Sequence, residues 1–246
     1  MNIYEDILDT REIYQTIASK VMNDDLIKIY KESDYEYPHA LLNKDFKLFA
    51  GEEIIKCEVV DIMIKLNLNR NTAWRRVITP VDITFKQLHM ILQAVFNWKS
   101  YHLYNFNIVD EADKCVLNVI SEFEEVYEPW QDCQMCLASE VKLSEYAKQQ
   151  YKIAYCYDYG DNWEHEITIR GTNTDYDKNY PVCLMGEGNA PPEDVGGISG
   201  YEEFLVIMAD PNHVEYGNMQ KWAQSQWYKD FNVDLINKRL KNILRT

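Results

Sequence analysis

The spacing of hydrophobic positions changes character near residue 54. In residues 3–21, Ile3, Ile7, Tyr14, Ile17 and Val21 recur at helical spacing, with Glu5, Asp6 and Asp9 in the early turns. Asn23-Asp24 can cap a second short helix, and residues 33–53, containing Pro38 and Gly51, read as a connection. Residues 1–53 are therefore predicted to be a helical appendage to a main domain spanning 54–246. From Ile54, Ile, Val and Met recur with interruptions every second or third position to residue 66, which predicts a strand. A turn at Asn67–Asn71 leads to a second strand over Trp74–Ile78 that stops at Pro80. Thr84-Phe85-Lys86-Gln87 then spells a capping box. The helix it opens carries Phe85, Leu88, Ile91, Leu92, Val95 and Phe96 on one stripe, which must be buried against a sheet.

Strict alternation follows over 102–108, with His102, Tyr104, Phe106 and Ile108 pointing one way. Cys115–Ile120 reads as a further strand, 121–140 is acidic and has no clear period, and a short helix is predicted over 143–149. Tyr151, Ile153, Tyr155, Tyr157 and Tyr159 share one face of a strand, and Gly160-Asp161-Asn162 turns the chain. Trp163, His165, Ile167 and Ile169 return on one face of its partner. A Gly/Pro-rich loop spans Tyr180–Gly200, and Ser199 with Glu202 reads as a second capping box. That helix would turn Phe204, Leu205 and Met208 inward, and a last helix carries Leu235, Ile236, Leu240, Ile243 and Leu244. The order predicts an α+β fold, a largely antiparallel sheet packed against helices, with the N-terminal helical segment added.

Composition narrows the function classes. At 46% hydrophobic residues, the 246-residue chain can bury a sizeable core. A net charge of −15, from 40 acidic against 25 basic residues, repels a phosphate backbone, so nucleic acid is not the expected partner. The densest basic run, Lys238, Arg239, Lys241 and Arg245, reads as cations in the last turns of a helix. No apolar run reaches the roughly 18 to 20 residues that span a bilayer. The acidic N-terminus lacks the form of a signal peptide. A cytoplasmic chain is expected, with its six cysteines reduced. Phosphate-loop, GxSxG and HExxH signatures are absent.

Four segments carry a resemblance. They are Trp74-Arg75-Arg76 with Pro80; Leu88-His89 through Phe96-Asn97-Trp98 into Tyr101-His102-Leu103; Tyr157-Asp158-Tyr159-Gly160-Asp161-Asn162-Trp163-Glu164-His165; and Tyr180 to Glu187 with Pro191-Pro192-Glu193-Asp194-Val195-Gly196-Gly197-Ile198-Ser199-Gly200-Tyr201. In this order they resemble the plasmid pRiA4b ORF-3-like family, from about Ile54 to the C-terminus. The resemblance implies an α+β fold and a plasmid or mobile-element setting, and it brings no established catalytic residues. Relatives often read His-Leu-His where this chain has His102-Leu103-Tyr104. They often carry cysteines at the positions of Ala190 and Val195, whereas Cys183 is kept.

The chemistry-bearing residues fall within these segments. His102 and His165 sit on apolar faces of predicted strands, as core histidines or as ligands. If they converge with Asp158, Asp161, Glu193 or Asp194, imidazole and carboxylate suit a divalent Zn, Mn or Fe ion, with Asp161 or Glu193 as ligand or general base. A loop rich in Gly and Pro, with Cys183, Glu187, Pro191, Pro192, Glu193, Asp194, Gly196, Gly197 and Tyr201, fits a binding loop. Cys133 and Cys136 form a CxxC that would complete a four-thiolate zinc site only together with Cys156 and Cys183. Arg75 and Arg76 are read as a sheet-edge pair bonded to carboxylates. Two functions follow: an interaction module that binds a protein partner through the aromatic sheet and this loop, and a metal-dependent hydrolase or nuclease.

Overall fold

The computed structural model describes residues 57–121, 133–148 and 150–245. The helices expected within 1–53 lie outside these residues. The elements run β1 (Cys57–Leu66), β2 (Ala73–Pro80), α1 (Phe85–Phe96), β3 (Tyr104–Val109), β4 (Cys115–Ile120), β5 (Met135–Leu137), β6 (Lys152–Tyr157), β7 (Trp163–Tyr176), β8 (Val182–Glu187), α2 (Gly197–Ala209), α3 (Tyr216–Ser225) and α4 (Val233–Leu240). Short 3₁₀ turns stand at Leu143–Glu145 and Ile243–Arg245. One eight-stranded sheet has the order β5-β4-β3-β6-β7-β1-β2-β8. Every neighbouring pair is antiparallel except β4 with β5, so the α+β expectation holds for the described residues.

Alternation places Val60, Ile62, Ile64 and Leu66 of β1 in one core with Leu88, Ile91, Leu92 and Val95 of α1. Each such side chain contributes about 1.5–3 kcal/mol by leaving water. The capping box forms as spelled: Gln87 N–H donates to Thr84 Oγ1 at 3.2 Å, and Thr84 N–H donates to Gln87 Oε1 at 2.9 Å. Asn97 ends α1 in the left-handed region, φ 64°. That break reverses the chain into the segment 98–103, which carries His102.

Several expectations need correction. The stretch read as a loop from Tyr180 begins with β8, whose pattern is broken by Gly186. A Cβ on Gly186 would lie 2.6 Å from Trp74 O, so the missing side chain is what lets β8 pack against β2. The free edge of β8 is covered by the Asn237 amide, which accepts from Cys183 N–H (2.8 Å) and donates to Cys183 O (3.0 Å). α2 begins without the Ser199/Glu202 box: its cap is Gly196 at φ 91°, with no side-chain hydrogen bond. In the β6–β7 hairpin the left-handed residues are Asp158 (φ 58°) and Asn162 (φ 56°) rather than Gly160. His102 precedes β3 instead of lying in it, and the short helix over 143–149 reduces to a 3₁₀ turn. α3 is an addition to the expected elements, a short helix that turns Ala223, Met219 and Trp222 to the core. Lys238 and Arg239 stand in the last turn of α4, as expected.

The cysteines also differ from expectation. Cys115, at the start of β4, and Cys133, just ahead of β5, are disulfide-bonded, with Cα atoms 5.7 Å apart. The parallel pairing of β4 with β5 brings them within bridging range. Cys133 is thereby removed from any four-thiolate site. The arginines part company as well. Arg76 holds Asp61 through three contacts of 2.7–3.2 Å, whereas Arg75 is buried and bonds only to carbonyls. Among the described residues, no helix is long and apolar enough to cross a membrane.

Candidate functional site

Three connections converge beyond the ends of α1, β6 and β8. The first, between α1 and β3, brings His102. The second, the β6–β7 hairpin, brings Asp158 and Asp161, and the third, between β8 and α2, brings Glu193 and Asp194.

Asp158 N–H donates to Leu103 O at 2.9 Å, which pins the hairpin beside His102. With its backbone left-handed, Asp158 turns Oδ1 onto the N–H groups of Gly160 (3.0 Å) and Asp161 (3.4 Å). Short polar side chains tolerate this conformation because they bond locally. Oδ2 then faces His102 Nε2 at 3.6 Å.

Glu193 is 2% exposed, and a buried carboxylate must find donors. Its Oε1 accepts from Lys99 N–H at 2.5 Å, and the Tyr157 hydroxyl lies 3.1 and 3.2 Å from the two oxygens. Tyr101 N–H donates to that hydroxyl at 3.1 Å, which leaves its proton for Glu193. Burial raises the Glu193 carboxyl, and the bonds from Lys99 and Tyr157 work against that shift. Burial, then the Glu193 charge, raises the Tyr157 phenol, so it stays a donor. Glu193 Oε2 lies 3.6 Å from His102 Nε2. Asp194, again left-handed at φ 58°, brings Oδ1 to 3.0 Å from the same nitrogen.

His102 Nε2 is thus ringed by three carboxylates. The atom itself is buried, yet it makes no hydrogen bond. His102, Asp158 and Asp194 form the only group of three or more His, Cys or acidic side chains, among the described residues, close enough to share an ion. Their candidate ligand atoms all lie within 4.8 Å of one another. One imidazole with carboxylates is a donor set for Mn, Fe or Zn.

The other candidates are placed elsewhere. His165 lies in the core at 1% exposure, its ring against Phe96, Trp98 and Tyr155. Its Nδ1 faces Trp163 O at 3.0 Å, and burial drives the imidazole down to about 3. The two histidines therefore do not share the cluster. Asp161 turns from His102 to the start of α2, accepting from Gly196 N–H at 3.2 Å, and burial raises its carboxyl.

The predicted binding loop is largely packed. Cys183, Pro191, Pro192, Glu193 and Tyr201 are buried, and Gly196 and Gly197 make the left-handed entry to α2. Tyr201 O–H donates to Asn189 O, and Trp98 Nε1–H to Pro191 O. Glu187 and Asp194 remain exposed. Tyr155 and Tyr157, on the predicted aromatic face, are core residues at 1% exposure.

Sequence reasoning missed the residues that set Glu193 in place, Tyr157 and the Lys99 amide. It also missed His89, buried with Nδ1 at 2.8 Å from the Tyr155 hydroxyl and Nε2 at 2.7 Å from Ser100 Oγ. Its one signal was a histidine on the apolar stripe of a capped helix.

Comparison with known proteins agrees with this architecture. The uncharacterized protein y4hQ of Sinorhizobium fredii (strain NBRC 101917 / NGR234) is 32% identical over 188 residues, 75% of this chain and 92% of that protein. The crystal structure of MM3350, a protein of unknown function from Methanosarcina mazei Go1, aligns with a TM-score of 0.58 at 29% identity. That alignment covers 72% of this chain and 93% of the other. Residues 58–238 match the plasmid pRiA4b ORF-3-like protein family, and the chain belongs to that family.

Proposed function

We propose that this protein holds a divalent cation through His102, Asp158 and Asp194 and acts as a metal-dependent hydrolase, with Glu193 as proton acceptor. The observation that carries the reading is the buried His102 Nε2, without a hydrogen bond and with three carboxylate oxygens at 3.0–3.6 Å. Three negative charges gathered on one imidazole repel one another, and a cation relieves that repulsion. A cation held by these residues would supply Lewis acidity and make a bound water more acidic, to a pKa of about 7 in the case of zinc. Glu193, oriented by Lys99 and Tyr157 and raised by burial, is suited to receive a proton there. The net charge of −15 favours neutral or cationic substrates over a nucleic acid.

The test is metal content by plasma mass spectrometry after incubation with Mn, Fe or Zn. Near one ion per chain is expected, lost in His102→Ala and kept in Glu193→Gln. Loaded wild-type protein should hydrolyse activated neutral esters, and Glu193→Gln should not. Metal-free wild-type protein, or equal metal in His102→Ala, would overturn the proposal.

One patch favours a second reading, an interaction module for a protein partner in the plasmid setting that the family's name suggests. Tyr101 and Trp227 are 68% and 52% exposed, and both rings lie near the Lys99 ammonium, at 5.5 and 5.2 Å. Trp227→Ala should then release a partner that the wild-type protein retains. Equal retention by both proteins would count against it.

A further inference from the structure

Arg75 is an unusual charge for a protein this acidic. It is 2% exposed, and none of its hydrogen-bond partners is a carboxylate. Nε donates to Val95 O (3.0 Å), Nη1 to Trp74 O and Glu187 O (both 2.8 Å), and Nη2 to Gly188 O (2.9 Å). These use four of the five guanidinium N–H groups, and one N–H on Nη2 is left over. The rings of Phe96 and Phe231 lie 5.1 and 4.1 Å from the guanidinium carbon. The carbonyls include the last turn of α1, whose dipole favours a cation, but no formal negative charge sits beside the group. A buried cation without an anion is costly.

Arg75 also lines an open cavity of about 520 Å³, counted out to bulk solvent. Its walls are mostly apolar and come from the end of α1, the 190–192 segment and the stretch from Gln226 to Arg239. Two further cations, Lys229 and Arg239, stand at this cavity. The one acid there, Asp230, already accepts from Asn189 Nδ2 at 2.8 Å. On a chain with 40 acidic and 25 basic residues, three cations to one engaged acid is a local reversal of sign.

We propose that this cavity binds a small organic anion, a carboxylate or phosphate on a compact apolar or aromatic body. The anionic group would face Arg75 and Arg239, and the body would lie against Phe231, Tyr228 and the prolines. A concave, mostly apolar wall with a few convergent polar groups is the usual form of a small-ligand site. Burial lowers the Arg75 guanidinium to about 10, the direction expected of a cation lacking its counter-charge. The site is separate from the His102 cluster and does not depend on a metal there.

The test uses full-length protein with EDTA present, so that an acid cannot be counted as the ligand of a metal at His102. Benzoate and phenyl phosphate are titrated with benzyl alcohol as the neutral control, followed by amide chemical shifts of Asn97, Tyr228 and Phe231. The acids should bind with a millimolar dissociation constant or better and the alcohol about tenfold more weakly. Arg239→Met should weaken the acids about tenfold, the equivalent of one charge-assisted contact. Leu235→Trp, which fills the cavity from an exposed wall position, should abolish binding while leaving the fold intact. Arg75→Met serves only as a supplementary variant, because the loss of four carbonyl contacts can unfold the protein. Equal binding of acid and alcohol, shifts unchanged in both Arg239→Met and Leu235→Trp, or no binding of either acid would overturn the proposal and leave Arg75 a structural cross-link.

Discussion

Asp194→Asn separates the metal proposal from the stability of the fold. Asp194 is half-exposed, and its ion-pair contact is with His102. Its backbone is left-handed, a conformation that Asn adopts as readily as Asp. The substitution therefore removes one charge and turns one candidate carboxylate ligand into a weaker neutral amide, without a cavity or backbone penalty. In chelated protein the change should stay within about ±0.5 kcal/mol, the ordinary range for surface substitutions. Any drift should be toward greater stability, because one of three mutually repelling carboxylates is gone.

With metal the balance changes. A ligand that binds only the folded state stabilises it by RT ln(1 + [L]/Kd), about 2.7 kcal/mol at a hundred times Kd. For a domain of this size that corresponds to a rise in Tm of roughly 5–10 °C. If replacing this carboxylate weakens binding by at least the roughly 10- to 100-fold typical of losing a residue that only supports a ligand, the gain at the same metal concentration falls to about 1.4 kcal/mol or less. The assay is differential scanning calorimetry of wild-type and Asp194→Asn protein, each in EDTA and in excess Mn²⁺ or Zn²⁺. The expected pattern is matched Tm values in EDTA and a wild-type rise that the variant loses by half or more. An identical metal-induced rise in both proteins would refute the reasoning, since the ion would then be bound elsewhere.

Acid should unfold the protein early. His89 and His165 are both held near 3 by burial, so each is neutral when folded and protonates near 6.5 when unfolded. Below about pH 6.5 the unfolded state binds the extra protons, so stability is complete above that pH and lost as pH falls toward 3. The slope is up to about 1.4 kcal/mol per pH unit for each histidine. Glu193 and Asp161, raised by burial, act with the opposite sign, gaining protons on folding as pH falls, and so offset part of the histidine loss. Urea midpoints at pH 7, 6 and 5 check this, and a flat profile would contradict it. Separately, a Cβ on Gly188 would lie 1.6 Å from Thr72 O, at a residue with φ +75°. Gly188→Ala should cost about 3 kcal/mol or more, and a urea midpoint close to wild type would show that the strand edge yields.

Local signals in the sequence were read correctly where a single physical device wrote them. Thr84 and Gln87 close their box because both partners lie within one turn, and the stripe from Phe85 to Phe96 has one period to follow. The same reasoning failed where tertiary contact supplied the cause. β8 needs Gly186 against Trp74 and Asn237 against Cys183, and neither partner is a sequence neighbour. Its edge position is visible only once β2 and α4 are in place. Cys133 belonged to a CxxC by spacing, but it bonds Cys115 because β5 runs parallel to β4.

The site was legible as a set of residue types and not as a constellation. His102, Asp158, Glu193 and Asp194 were all candidates, yet so was His165, and periodicity treated the two histidines alike. What divides them is position relative to the strand ends. His165 is paired within β7, opposite Tyr155 and Leu66, so its ring is committed to the core. His102 stands before β3 begins, where the chain has just turned through Asn97 and Ser100, both left-handed. The same turn presents the Lys99 amide to Glu193 and sets Asn97 in the wall of the Arg75 cavity. On the facing loop, Pro191 and Pro192 line that cavity, and the next two residues, Glu193 and Asp194, close on His102. Two short segments thus serve both places, with cations gathered on one side and carboxylates on the other. A change that shifts Asn97 or the prolines should be felt at His102 without touching it.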